Sequence, residues 1–404
     1  MRIVLLILLI VSGYAHADGR QVDDYQWEGV QRVVAVGDIH GDYDNYLATL
    51  KAAGLVDKKG KWAGGETHFV QVGDIPDRGP DTRKIIEHMV KLQKQARRKG
   101  GQVHALLGNH EAMNVTGDLR YVHEGEFEAF KNRDSKALRD RAFEGTMKNM
   151  QANDPEGYAA LPDNYREEWN QQHPLGWIEH RQAWDPSWNP DGEFVKWSLD
   201  RKVAIRIDDT LFLHGGISGF YCQNSLDSIT QFVREKLMNY DPLDPGVIED
   251  EFGPLWYRGL SGVEPRAAEE TVAAILEHHG VKRIVVGHTV TSGIIWPEYD
   301  SRVVVIDTGI SEAYGGYVAY LEIGADGLTA GYPAGRLALP AEDSGRLAYL
   351  ERVMAMDPSN GYLKQRLAGL QQTDSAAELD SSATVDTDAA QAVKKPVPIC
   401  GISQ

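Results

Sequence analysis

An α/β fold is predicted: two β-sheets packed as a sandwich and flanked by helices, with a mostly helical, Trp-rich insertion. Three observations carry it. Apolar β-branched runs alternate with stretches of helical period in both halves of the chain. Nearly every run ends in a Gly-containing turn bearing Asp, His or Asn. Between about residues 115 and 196 the alternation stops. That polar, charged segment and its edge hold five of the nine tryptophans: Trp169, Trp177, Trp184, Trp188 and Trp197.

In chain order, "RVVAVGDIHG" (32–41) is a strand ending in a Gly-Asp turn, and "YDNYLATLKAAG" (43–54) is a short amphipathic helix closed by Gly54. "HFVQVGDIPDRG" (68–79) repeats the scheme and leads into a helix over 81–100; "VHALLGNHE" (103–111) is a third strand with a polar tip. Within the insertion, 124–150 reads as helix and "DPSWNPDGEF" (185–194) as loop. Its tryptophans can wall a substrate site, but such aromatics more often build a segment's own small core. Strands resume with "VAIRIDDTLFLHGG" (203–216). A helix over 265–280 precedes "KRIVVGHT" (282–289), and a turn at Trp296-Pro297 separates this from "RVVVIDTG" (302–309). Residues 316–333 resemble a hairpin and 341–370 hold two helical pieces. From 371 to 404 the chain is largely small, polar and acidic, a composition expected to be disordered.

Hydrophobic residues make up 42% of the 404, enough for a sizeable core. The formal charge of −17 argues against a nucleic acid as partner, since affinity for that backbone comes from basic residues. A local phosphate site remains open to an acidic protein that uses metals and a few arginines. The first 17 residues read as a signal peptide: Arg2, an apolar run from Ile3 to about Val11, then the small-residue site Ala15-His16-Ala17. The run is short for a bilayer about 30 Å thick, so export without a stable membrane anchor is expected, to the periplasm or beyond, with Asp18 first in the mature chain. The body of the protein is then 18–340. The two cysteines, Cys222 and Cys400, either pair, which export would permit, or stay as free thiols.

The polar tips are Asp38 and His40; Asp74, Asp77 and Arg78; Asn109, His110 and Glu111; His214; and His288. One such tip is ordinary turn chemistry. Five, each after an apolar run, deliver imidazole, carboxylate and carboxamide groups from separate strands, as in a metal site built on a rigid sheet. The thiolate-free mixture suits Mn, Fe or Zn. The number of ligands suits two divalent ions about 3.5–4 Å apart with a bridging carboxylate. Taken alone, Asp77 could instead pair with Arg78 as a loop salt bridge, and Glu111 reads as a residue that fixes its loop.

The ordered set "GDIHG" (37–41), "GDIPDRG" (73–79), "GNHE" (108–111), "HGG" (214–216) and "GH" (287–288) resembles the phosphoprotein phosphatases among the calcineurin-like metallophosphoesterases. With "GEFVKWSLDRKVAIRIDDTLFLHGG" (192–216), "PLWYRG" (254–259) and the exported layout, the chain is similar to the bacterial Shewanella-like protein phosphatases. The resemblance covers about Val33 to Glu322. It implies the αββα fold of metal-dependent phosphatases and a phosphoprotein or small phosphomonoester as substrate. It further implies that Asp38 and His40 bind one metal, that Asp74 bridges, and that Asn109, His214 and His288 complete the second. Arg78 and Arg258 would hold phosphate oxygens, beside Asn109; His110 would donate the proton and Asp77 would orient it. Tyr314 in "SEAYGG" (311–316) lies near a matching position and is given no role. A nucleotide or dinucleoside-polyphosphate hydrolase on the same scaffold is one alternative; a metal-holding protein without catalysis is the other, and the Asp77, Arg78 and His110 set argues against it. One departure is Ile75-Pro76 between the aspartates; Pro76 stiffens the turn and removes a backbone donor.

Overall fold

β3 (Val33–Val36), β4 (His68–Gln71) and β5 (Gln102–Ala105) lie parallel and adjacent. The computed structural model describes residues 20–380 and 399–400, and among these β3 to β5 form half of a six-stranded sheet. The other half is antiparallel: β11 (Tyr320–Gly324), β12 (Gly327–Tyr332) and β13 (Gly335–Ala338), in the order β13-β12-β11-β3-β4-β5. The expected hairpin is therefore β11 and β12.

The second sheet has seven strands, ordered β1-β2-β6-β7-β8-β10-β9. They are β1 (Arg20–Gln21), β2 (Gln26–Glu28), β6 (Ala204–Ile207), β7 (Thr210–Leu213), β8 (Arg283–Val286), β9 (Trp296–Glu298) and β10 (Val303–Val305). Within it β7, β8 and β10 are parallel. The Trp-Pro segment expected to be a turn is instead the edge strand β9. Its proline sits at the sheet edge, where a missing N–H breaks no ladder.

Every residue of β3, β4, β7 and β10 is buried, because one face meets the opposite sheet and the other meets helices. Helix Thr82–Arg97 shows why it packs: Ile85, Ile86, Met89, Leu92 and Ala96 fall on one stripe and are buried. Helix Leu226–Met238 does the same with Ile229, Val233 and Leu237. These are two mixed sheets flanked by helices, the fold class the sequence predicts.

The insertion is largely helical, with helices Glu124–Phe130, Ser135–Asn153, Tyr165–Gln172, Trp177–Trp184 and Glu193–Leu199. Its rings pack on one another: Trp184 on Phe194 at 4.9 Å, Trp169 on His173 at 4.1 Å, Trp177 on Trp188 at 5.3 Å. This is the pattern of a segment building its own small core. Cys222 and Cys400 are joined in a disulfide. Helix Gly361–Asp380 continues past the expected boundary at 371, since Gln, Ala, Glu and Leu in 371–380 favour helix. The expected signal peptide and most of the tail lie outside the described residues. Among the described residues no helix is long and apolar enough to cross a membrane.

A histidine pair, His68 buried and His104 half-buried, links the start of β4 to β5 and yields a stability prediction. His104 Nε2 lies 3.2 Å from His68 Nδ1, and Trp27 packs edge-on against His104 at 4.4 Å. Burial pushes His68 from 6.5 down to about 4 and His104 well below its usual value. The folded protein thus excludes a proton that the unfolded chain accepts below pH 6.5, so stability is lost as pH falls from about 6.5 to about 4. The loss from His68 alone is of order 3 kcal/mol. The stability gap between wild type and His68→Asn, measured by denaturant unfolding, should therefore narrow by about that amount over this window. A gap independent of pH would remove His68 as the cause.

Candidate metal centre

Six parallel strands point their carboxyl ends at one place. From the six-stranded sheet, β3 runs into Asp38 and His40, β4 into Asp74, and β5 into Asn109 and His110. From the other sheet, β7 runs into His214, β8 into His288 and β10 into Asp307. The ends of parallel strands are where backbone polar groups and loops are free to face a ligand. The tips interlock: the Ile39 N–H donates to the Asp74 carbonyl at 2.9 Å, the His110 N–H to Asp74 Oδ1 at 2.9 Å, and the His288 N–H to Asp38 Oδ1 at 3.1 Å. All eight side chains are buried.

The backbone here is unusual. His40, Asp74, Asp77, Arg78 and His288 all have positive φ, between 47° and 72°. Non-glycine residues rarely adopt this region, and each costs about 1–3 kcal/mol unless its surroundings over-determine it. In "GDIPDRG", Gly73 has φ 107°, but Gly79 does not turn left-handed. Its requirement is close approach, since a Cβ there would stand 2.6 Å from the His40 carbonyl oxygen. The aspartates and the arginine make the rest of the turn themselves.

Lone pairs converge on two points. His214 Nδ1 donates to the Val72 carbonyl at 3.1 Å, which leaves Nε2 with its lone pair. That nitrogen faces Asn109 Oδ1 at 2.9 Å, His288 Nδ1 at 3.2 Å and Asp74 Oδ2 at 3.3 Å. One proton can serve one of these contacts; a cation serves all four donors. Likewise His40 Nδ1 donates to the Pro76 carbonyl at 3.1 Å, and its Nε2 faces Asp74 Oδ2 at 3.8 Å and Asp38 Oδ2 at 3.9 Å. Pro76 thus orients the His40 ring through its carbonyl. Ligand atoms of His40, Asp74 and His110 lie within 4.8 Å of one another, and so do those of Asp74, His214 and His288. Asp74 belongs to both groups, as a bridging carboxylate must.

Electrostatics carry the same signature. Burial would raise Asp74, but the His214, His110 and His40 imidazoles outweigh it and hold the carboxyl well below its usual range. Burial, Asp307 and Asp74 push Asp38 well above it. Burial, with Asp74 adding, raises Asp307 to about 6. Burial, aided by His110, lowers His40 to about 4, and burial with His214 takes His288 well down. Neutral imidazoles beside carboxyls crowded into like-charge contact are donors suited to divalent cations, which reward deprotonated ligands.

Next to this centre stands a second constellation. His110 Nδ1 lies 2.5 Å from Asp77 Oδ2, and Asp77 Oδ1 accepts from Asn114 Nδ2 at 2.9 Å. Burial opposes a charged His110, but Asp74 and Asp77 prevail and raise it to about 9. Asp77 is thus committed to His110, and the Asp77–Arg78 salt bridge does not form. Arg78 stacks its guanidinium on the Tyr121 ring at 3.9 Å, with Tyr314 at 5.7 Å. Arg258 donates to the His288 carbonyl, and its charge bears on Asp38. Glu111 fixes its loop as expected: its carboxylate accepts the N–H groups of Asp74 at 3.0 Å, Ile75 at 2.8 Å and Gly108 at 2.8 Å.

All ten residues picked from the sequence gather here. Sequence reasoning missed Asp307, although "VVVIDTG" is one more apolar run with an Asp-Thr-Gly tip. It left Tyr314 without a role; that ring packs 5.1 Å from His40. Tyr121 and Glu126 were not singled out, having no motif around them.

Comparison with known proteins agrees with the geometry. Residues 31–292 match the model of the calcineurin-like phosphoesterase family. The chain is 30% identical to Shewanella-like protein phosphatase 2 of Arabidopsis thaliana, over 71% of this chain and 73% of that one. It is 32% identical to an uncharacterized protein of Schizosaccharomyces pombe, over 72% and 76% of the two chains. Among solved structures it is similar to the cold-active protein-tyrosine phosphatase of a psychrophilic Shewanella species, with 29% identity, a TM-score of 0.57, and 79% and 83% of the chains covered. This chain belongs to the calcineurin-like phosphoesterase family and is a metallophosphoesterase.

Proposed function

We propose that this protein is an exported phosphomonoesterase that uses two divalent ions and acts on phosphoproteins, with phosphotyrosine the substrate its site supports best. The observation that carries it is the meeting of two kinds of group: acceptors that only cations reconcile, beside Arg78, Arg258 and the His110–Asp77 pair. Metal storage needs none of those last four.

Asp38, His40 and Asp74 would hold one ion, and Asp74, Asn109, His214 and His288 the other. Bound there, the ions supply an activated water and positive charge for the phosphoryl oxygens. The protein supplies the rest. Arg78 and Arg258 present guanidinium forks to the equatorial oxygens, whose charge grows in the transition state. Tyr121 beneath Arg78 fixes its plane without taking its hydrogen bonds. His110 donates a proton to the leaving oxygen, and Asp77 holds the ring so that Nε2 carries it.

Two features support a protein substrate. Similar proteins carry the names protein phosphatase and protein-tyrosine phosphatase. A half-open groove of about 380 Å³ runs beside Arg258, walled by Met113, Phe252, Trp256 and Tyr257. Trp256 meets His288 edge-on at 5.6 Å, so one wall of the groove adjoins the centre, and its aromatic lining suits an aromatic leaving group. The N-terminal pattern and the Cys222–Cys400 pair support export.

The test is a panel containing phosphotyrosine, phosphoserine and phosphothreonine peptides and a dinucleoside tetraphosphate, with metal analysis of the same preparation. The expected result is about two metal ions per chain and fastest turnover of the phosphotyrosine peptides. Preference for the dinucleoside tetraphosphate would replace this reading with a nucleotide hydrolase whose groove stacks a base.

A further inference from the structure

We infer that the Trp-rich insertion serves the reaction through Glu126, a positioning residue that holds Asp77, and through it His110, in place. The inference rests on reading His110 as the proton donor.

Asp77 and Arg78 follow one another with φ of 72° and 65°, a pair of strained residues with no glycine between them. Something outside the loop must hold them. The Asp77 N–H donates to Glu126 Oε1 at 2.8 Å, and the Thr82 hydroxyl donates to the same oxygen. The Arg78 N–H donates to the Tyr121 carbonyl at 3.0 Å. Both holding groups come from the start of the insertion, not from the sandwich.

Glu126 is built for this position. It is 1% exposed, on helix Glu124–Phe130, and its other oxygen lies 3.7 Å from Nε2 of the fully buried His180. His180 is itself enclosed by Phe127 and Phe130, each at 5.1 Å. The helix reaches the loop because Gly125 has no side chain: a Cβ there would stand 2.4 Å from Pro80 Cβ. A buried carboxylate is costly, and a residue meant only to fill space would be apolar. This one is aimed at the single backbone N–H that fixes where the Asp77 carboxylate points. Asp77 in turn makes the 2.5 Å contact with His110 Nδ1.

The test compares Glu126→Gln, which keeps an acceptor oxygen, with Glu126→Met, which keeps volume and removes the acceptor. Turnover is followed on a series of ring-substituted phenyl phosphates. Wild type must first turn over 4-nitrophenyl phosphate with added Mn²⁺; if it does not, the functional reading fails before this one is reached. Glu126→Met should lose less than about threefold on 4-nitrophenyl phosphate and tenfold or more on the poorest leaving groups, part of the range general acids supply. Glu126→Gln should stay near wild type. In His110→Asn/Glu126→Met the loss should be no larger than in His110→Asn alone, because the two act as one unit. Hydrogen exchange should show the peptide over 72–82 deprotected in Glu126→Met and protected in Glu126→Gln. If Glu126→Met does not fold, Thr82→Val, which removes the other donor to the same oxygen, takes its place in the series, with a smaller steepening expected. Losses equal across leaving groups, or multiplying with His110→Asn, would overturn the inference.

Discussion

Asp74→Asn should lose bound metal and turnover together. Asp74 is the one carboxylate shared by both donor groups, with Oδ2 3.3 Å from His214 Nε2, 3.8 Å from His40 Nε2 and 3.8 Å from His110 Nε2. Its Oδ1 is held by the His110 N–H, so the side chain has no free rotation to present its other face. Asparagine keeps the shape and removes the negative charge. It also forces a choice. If its carbonyl oxygen accepts from the His110 N–H, its NH₂ points at the imidazole lone pairs and repels a cation. If it flips, the His110 N–H loses its acceptor. Replacing a group that merely supports a ligand costs 10–100-fold in metal affinity, so a bridging ligand should cost at least about 100-fold. Elemental analysis should show fewer than one ion per chain, with kcat on 4-nitrophenyl phosphate falling in step. Full metal content in a folded Asp74→Asn protein would contradict bridging.

Why the candidate ligands were legible and their supports were not follows from the physics of each. Asp38, His40, Asp74, Asn109, His214 and His288 sit at the ends of apolar β-branched runs, where periodicity ends and polarity begins. That contrast is local, so it shows in a linear sequence. The parallel strands then bring the ends together. Asp307 obeyed the same rule and was passed over because a single Asp-Thr-Gly reads as an ordinary turn. Glu126 and Tyr121 had no such signal: one lies on a short polar helix and the other in the turn before it, and their meaning comes only from tertiary contact with Asp77 and Arg78. Trp296-Pro297 failed for a related reason. Proline marks a turn locally, and only the sheet order shows that it occupies an edge.

His110→Asn should slow the enzyme in proportion to how badly the leaving group needs a proton. His110 carries a positive charge in the folded protein because Asp74 and Asp77 outweigh its burial, raising it from 6.5 to about 9. A cation on Asp74 would neutralise part of that field, so in the metal-loaded enzyme the value should lie below about 9. The acid form is active, so turnover of poor leaving groups should decline as pH rises through that value. The wild-type kcat profile should therefore show a basic limb on unsubstituted phenyl phosphate and little of it on 4-nitrophenyl phosphate, whose phenolate leaves unaided. Asparagine cannot protonate the leaving oxygen. The variant should lose about 10²–10⁴-fold on the poor leaving group and far less on the good one, and its basic limb should vanish. Metal content separates this from damage to the centre: it should stay at the wild-type level, since Asp77 on Nδ1 leaves Nε2 as the atom facing the centre, and an Nε2 that carries the leaving-group proton has no lone pair to give a metal. Should metal fall with equal losses on both substrates, then His110 is a ligand beside His40 and Asp74, as their mutual 4.8 Å spacing would also permit, and the proton must come from elsewhere.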